Sequence, residues 1–121
     1  MSISNPKLPR RGEVWLVNFD PTVGAEIKKF RPAVVISSDA VGRLPIKLVA
    51  PVTDWKDVYA RHLWHVRIDP DSLNGLSKVS AVDVLQLRGM DHQRFIRRLG
   101  QVSPELIEKI ILAIAAVIEY P

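Results

Sequence analysis

Arginine and lysine gather in three stretches of this sequence: Arg10-Arg11, Lys28-Lys29-Arg31, and the run from Arg88 to Arg98. Their common chemistry is phosphate recognition. A guanidinium forks onto two phosphate oxygens and stays charged, while an ammonium attracts phosphate as a point charge. The 17 Lys and Arg outnumber the 13 Asp and Glu, for a net charge of +4. That balance is compatible with RNA or DNA as a partner, although many basic proteins bind neither, so the clustering says more than the total. Other chemistries lack their residues. There is no cysteine, which removes disulfides and thiolate metal sites and fits a reducing compartment such as the cytoplasm. His62 and His65 stand three apart in a stretch read as strand, where they would face opposite sides, so a shared metal is not expected. His92 reads as a surface residue. Asp69 and Asp71 flank Pro70 and read as turn formers, not as a carboxylate pair. No compact set of Asp, Glu and His suits a two-metal nuclease, and nothing in the sequence calls for a cofactor.

The elements that must position these residues are mostly short strands. A chain of 121 residues allows one domain, over 1–121, with a thin core. Residues 1–10 are polar and read as a flexible extension; they lack the apolar run of a signal peptide. The longest apolar stretch, 110–118, is too short to span a bilayer. Residues 13–19 are rich in β-formers and end at the Asp20-Pro21 turn signal. A polar loop over 21–30 follows, then strands at 32–38, 47–52 and 62–68, a long bent one at 78–88, and a short one at 95–99. Trp15, inside the first, reads as core. Close spacing without helical period between the strands predicts a small antiparallel barrel.

Only the end reads as helix. Ser103 suits the N-cap, Pro104 the first helical position and Glu105 the first turn, with the helix running to about Glu119. Leu106, Ile107, Ile110, Ile114, Val117 and Ile118 make one apolar face, sufficient for packing on the barrel. Ile111 and Leu112 widen it, with Ala115 beside them. A monomer would expose that surface, so a two-fold dimer interface is expected at Ile111, Leu112 and Ala115.

Three segments together resemble the MazF/PemK family of toxins. The first runs Arg11-Gly12-Glu13-Val14-Trp15-Leu16-Val17-Asn18-Phe19-Asp20-Pro21, with Gly24 and Glu26 in the loop behind it. The second is the Arg-Pro strand start, Arg31-Pro32-Ala33-Val34-Val35-Ile36-Ser37. The third is Pro51-Val52-Thr53, followed by Gln86-Leu87-Arg88 and Asp91. The likeness covers about residues 11–120. It implies an SH3-like barrel with a C-terminal helix, forming a homodimer, that cuts single-stranded RNA in the cytoplasm and arrests growth. A cognate antitoxin would hold it inactive, the pair binding DNA together. By position, Arg31 and Thr53 correspond to the family's catalytic arginine and threonine, and Glu26 to a loop glutamate over the substrate groove. The PemK-type branch shares catalysis among an Arg, an Asp and a loop His. Asp83, Leu85 and Ala25 occupy those places here, so that set does not carry over.

RNA brings its own nucleophile, the 2′-hydroxyl, so cleavage needs geometry, charge stabilisation on the phosphoryl oxygens and proton transfer. Arg31 and Thr53 suit the phosphate. Neither is a base at neutral pH, which leaves Glu26 as the candidate. Lys28, Lys29, Lys56, Gln86 and Arg88 are the candidate RNA contacts. Trp55 could stack on a base or pack at the barrel rim. Taken without the resemblance, Arg31 reads as a solvated loop charge, Thr53 as a turn residue and Glu26 as a weak surface ion pair with Lys28 or Lys29. A same-fold module that binds a protein such as DNA gyrase is the rival reading; it needs no ordered Arg-Pro and Thr pair.

Overall fold

The computed structural model describes residues 8–41 and 43–121. Its strands are β1 (Glu13–Asn18), β2 (Phe30–Val35), β3 (Ile46–Asp54), β4 (His65–Ile68), β5 (Ser80–Asp83), β6 (Arg88–Asp91) and β7 (Phe95–Gln101); the helix is α1 (Pro104–Val117). All strand pairings are antiparallel, in the order β4-β5-β3-β2-β1-β7, with β6 also on β3. The expected mainly β fold with one C-terminal helix is present, as a curled sheet whose end strands do not pair with each other. The gap is bridged by the segment after β4. On β7 the Gln101 amide donates to the Leu73 carbonyl at 2.9 Å.

Alternation along the strands sorts side chains onto two faces. Val14, Val34, Ala50, Val52 and Val82 point to one, where Ile107 and Ile110 of α1 cover them. Trp15, Val17, Ala33, Val35 and Val49 point to the other and meet Phe19, Met90 and Phe95. Trp15 is core, as expected; its indole nitrogen donates to Glu13 at 2.9 Å. The helix starts as the sequence indicates, with the Ser103 hydroxyl accepting from the Leu106 amide at 3.2 Å and Pro104 behind it.

Four expectations change. The fourth strand starts at His65, because residues 57–61 form a 3-10 turn ahead of it. The fifth breaks after Asp83 into a 3-10 turn, Val84–Gln86, and resumes as β6, which completes a bent two-part strand along β3. Strand three extends to Asp54, so Thr53 lies inside it. The helix ends at Val117, which leaves Ile118 at its C-cap and 67% exposed instead of on the inner face. Of the proposed extension, residues 1–7 lie outside the described residues; Pro9 is buried and the Arg10 amide donates to Glu13 at 2.8 Å. No described helix is long and apolar enough to cross a membrane.

Two glycines let the bridging segment meet β7. A Cβ on Gly100 would stand 2.1 Å from the Leu73 carbonyl oxygen, and one on Gly75 2.1 Å from that of Leu99. These neighbours are backbone and cannot rotate away. Gly75→Ala and Gly100→Ala should each destabilise by at least about 3 kcal/mol, read from denaturant midpoints. Gly24→Ala is the control: its φ is +57 but nothing lies within 4 Å, so only the left-handed backbone penalty of about 1 kcal/mol applies.

Candidate active site

The site begins where two strands part. The β2–β3 ladder pairs Val35 with Val49, Val34 with Ala50 and Ala33 with Pro51, and ends there. Continuing that register by two residues sets Arg31 opposite Thr53 on the same face. Both side chains are half-buried. Neither strand is loose at this point, since Arg31 pairs with Val17 on β1 and Thr53 with Ala81 on β5.

Beside this fork the loop between β1 and β2 folds over the sheet. Its tip closes on itself: the Val23 amide donates to Glu26 Oε1 at 2.7 Å, and the Glu26 amide to the Val23 carbonyl at 3.2 Å. Its base is held by the Lys29 amide on Asp20 at 3.0 Å and by the Arg94 guanidinium, which donates to the Asn18 and Asp20 carbonyls. Lys28 and Lys29 are exposed on it, and Lys29 sits in the left-handed region with φ 68. Glu26, Leu85, Gln86, Leu87 and Arg88 line a pocket of about 330 Å³. Arg88 reaches it from β6, opposite Val49, with its guanidinium carbon 5.9 Å from the centre of the Phe19 ring. The structure thus gathers Glu26, Gln86 and Arg88 around one pocket, while Arg31 and Thr53 lie on the two strands that diverge beyond the last β2–β3 pair.

The remaining candidates stand elsewhere. Trp55 packs at the end of β3, edge-on to Tyr59 at 5.9 Å and under the Arg67 guanidinium at 5.5 Å. Lys56 is exposed just ahead of the 3-10 turn. His92 is exposed, near Asp91 at 3.8 Å. Asp71 caps the backbone of Leu73 and Asn74, while Asp69 pairs with Arg67; both carboxylates therefore work in and around a turn, as read. Ile111 and Leu112 are 38% and 63% exposed, with Ala115 half-buried between the two faces of α1. Among the described residues no group of three or more His, Asp or Glu converges on a metal position.

His62 and His65 require a correction. Because His62 precedes β4, the two rings are not on opposite sides of a strand; their Nδ1 atoms meet at 2.9 Å. His65 stacks on Tyr59 with centroids 3.7 Å apart, and His62 on Trp64 at 4.2 Å. His65 Nε2 lies 3.6 Å from Asp83 Oδ2, and both side chains are nearly sealed from water. Burial lowers the His65 pKa below 6.5; Asp83 opposes that shift and His62 adds to it. The sequence held two signals for this cluster: a lone carboxylate inside the apolar run 79–87, and five aromatic or imidazole rings between 55 and 65.

Comparison with known proteins agrees with this architecture. Residues 10–118 match the family described as PemK-like, MazF-like toxin of type II toxin–antitoxin system. The endoribonuclease toxin ChpB of Escherichia coli is 33% identical over 112 residues, covering 90% of this chain and 93% of that protein. Endoribonuclease EndoA of Bacillus subtilis is 30% identical, covering 84% and 86%. Among solved structures, MazF from Deinococcus radiodurans superposes with a TM-score of 0.74 at 24% identity, covering 92% and 96%. An endoribonuclease in complex with its cognate antitoxin, from a mycobacterial species, gives 0.74 at 18%, covering 94% and 98%. The chain belongs to the PemK-like, MazF-like toxin family of type II toxin–antitoxin systems.

Proposed function

We propose that this chain is an endoribonuclease toxin that cuts single-stranded RNA through the RNA's own 2′-hydroxyl, and that a cognate antitoxin protein restrains it in the cytoplasm. Its named relatives are endoribonucleases. The observation that carries the mechanism is the fork between β2 and β3, where the register projected past Ala33 and Pro51 brings Arg31 level with Thr53, each on a strand paired on its far side. A phosphate seated there takes two hydrogen bonds from the guanidinium and one from the hydroxyl. Both donors sit on paired backbone, so they are aimed before charge develops on the phosphoryl oxygens. Attack of the 2′-oxygen expels the 5′-oxygen and leaves a 2′,3′-cyclic phosphate and a 5′-hydroxyl. Glu26 is the candidate acceptor for the 2′ proton. Lys28, Lys29, Lys56 and Arg88 neutralise neighbouring phosphates, Gln86 offers polar atoms to a base in the pocket, and Trp55 borders the strand. Metal has no step in this scheme, because the nucleophile comes with the substrate.

The patch of Ile111, Leu112 and Ala115 on α1, with Ile118 just past its end, is the proposed homodimer surface. Ala115 lies four residues after Ile111 and three after Leu112, which makes it a neighbour of both, and Ile111, Leu112 and Ile118 are exposed in the single chain. Covering them with a second copy buries the apolar area a soluble monomer would leave in water.

Three outcomes test these readings. The protein should cleave single-stranded RNA in EDTA and leave a 2′,3′-cyclic end, and all-2′-deoxy substrate should bind without being cut; a 3′-hydroxyl product or strict Mg²⁺ dependence overturns the scheme. Arg31→Ala should lower the rate by about 10²–10³ with a nearly unchanged melting temperature, and Thr53→Val by less. Sedimentation at micromolar concentration should give a dimer that Leu112→Glu converts to monomer. A wild-type chain running at 13.6 kDa removes the interface.

A further inference from the structure

Asp83 is a carboxylate only 6% exposed at the end of the buried strand β5. A buried carboxylate is tolerated only when its oxygens are engaged. Oδ1 accepts the Leu85 amide at 3.1 Å, Oδ2 accepts Gln86 Nε2 at 3.2 Å, and His65 Nε2 faces Oδ2 at 3.6 Å. The last distance is an electrostatic contact rather than a hydrogen bond. Gln86 then reaches the covering loop, where its Oε1 accepts the Ile27 amide at 2.6 Å across 59 residues of sequence. Between the self-bonded tip and the anchored base of that loop, this is the hydrogen bond to another element among the described residues.

The chemistry of these groups fixes their direction. A carboxylate accepts and does not donate, so Gln86 must turn its nitrogen toward Asp83. Its oxygen is thereby turned toward Ile27, whose amide can only donate. His65 completes the arrangement by walling Asp83 from water, with its own ring pinned between Tyr59 and the Nδ1 of His62. We infer that Asp83 is a positioning residue: through Gln86 it holds the Glu26-bearing loop over the pocket beside Arg88, ready for RNA. The catalytic half of this inference rests on the nuclease reading above; the loop half does not.

A loop held in its binding-competent form saves the substrate the cost of ordering it. If release leaves one loop in ten in place, apparent affinity falls about tenfold, while the rate at saturating RNA changes less. Asp83→Asn tests the direction of the chain. With its single oxygen kept on the Leu85 amide, the new amide turns its nitrogen toward Gln86, whose own nitrogen is then turned toward the Ile27 amide, donor against donor. Hydrogen exchange at Ile27 should speed at least tenfold relative to the amides of β2 and β3. KM for a mixed-sequence single-stranded RNA should rise about tenfold, with kcat within about threefold. Adding Gln86→Glu to Asp83→Asn restores a matched pattern, with the introduced amide donating and the introduced carboxylate accepting from Ile27. Exchange at Ile27 should return toward wild type even if the added charge weakens RNA binding.

Folded Asp83→Asn with wild-type exchange at Ile27 and wild-type KM overturns the inference, and so does a double variant that recovers none of the protection. Should Asp83→Asn not fold, Gln86→Met removes the loop's acceptor while Asp83 keeps the Leu85 amide, and unchanged exchange at Ile27 in that variant is equally fatal. A wild-type protein that cuts no RNA removes the nuclease reading, while the exchange measurements still decide whether Asp83 holds the loop.

Discussion

A missing hydrogen-bond donor organises the site. On β2 the Ile36 amide donates to the Leu48 carbonyl at 2.8 Å, and two steps on Val34 stands opposite Ala50. The next position of that kind on β2 is Pro32, which has no N–H to give β3. Beyond Ala33 and Pro51 the two strands are no longer paired, while β3 carries on along β5 through Val52, Thr53 and Asp54. Arg31 is meanwhile kept in place from the other side by β1. A proline therefore opens the sheet without loosening either wall. The fork is lined by one cation and one hydroxyl whose backbones are both fixed.

The same alternation that turns Arg31 and Thr53 to one face of the sheet decides which face can be polar. Helix α1 seals one face with Ile107 and Ile110, so every polar side chain of consequence falls on the other. On that face the ladder continues from Thr53 through Ala81 to Arg67, and the neighbouring row carries Asp83 opposite His65. Burying a carboxylate and an imidazole there costs stability unless partners are supplied, and the partners come from turns. The Val84–Gln86 turn gives Asp83 an amide and a side-chain donor, and the 3-10 turn before β4 gives His65 its stacking ring. The break in the β5–β6 strand is thus what satisfies Asp83. A straight strand would send the Leu85 amide into a ladder instead.

Much of this is legible in the residues. The Ser103, Pro104 and Glu105 start of α1 is a local signal and appears as read. The β-rich segments at 13–19, 32–38 and 95–99 are strands to within a few residues, because their patterns are set by immediate neighbours. What escapes depends on distant partners. That β3 serves β2, β5 and β6 at once follows from the curling of the sheet, not from the nine residues of β3. The alternation of its neighbours assigns His62 to a strand, yet Tyr59 and Arg61 finish a 3-10 turn that swings it back onto His65. Ile118 fits the apolar period of α1, but the chain turns at Glu119, with φ 59, and leaves it in water. Of the candidate site, Arg31, Thr53 and Glu26 are indicated by motif position, and Asp83 by its departure from it, while His65 shows only as one of five rings between 55 and 65.

On the proposed reading, those departures say how catalysis is divided. Asp83, Leu85 and Ala25 stand where another branch of the family carries an arginine, an aspartate and a histidine, and here Leu85 is 59% exposed while Asp83 faces inward. A chain without that acid–base set must draw more of its rate from charge stabilisation at the phosphate, the term that Arg31 and Thr53 supply. Such stabilisation is strongest where water is excluded. The fork alone is open, since its two walls diverge. On this reading the loop over the pocket is its cover, joined to the neighbouring turn between its tip and its base through the side-chain amide of Gln86. Fixed donors and a tethered cover are therefore complementary requirements. The donors are held by backbone ladders, which do not yield when RNA arrives. The cover is held in place before RNA binds by one side chain, that of Gln86.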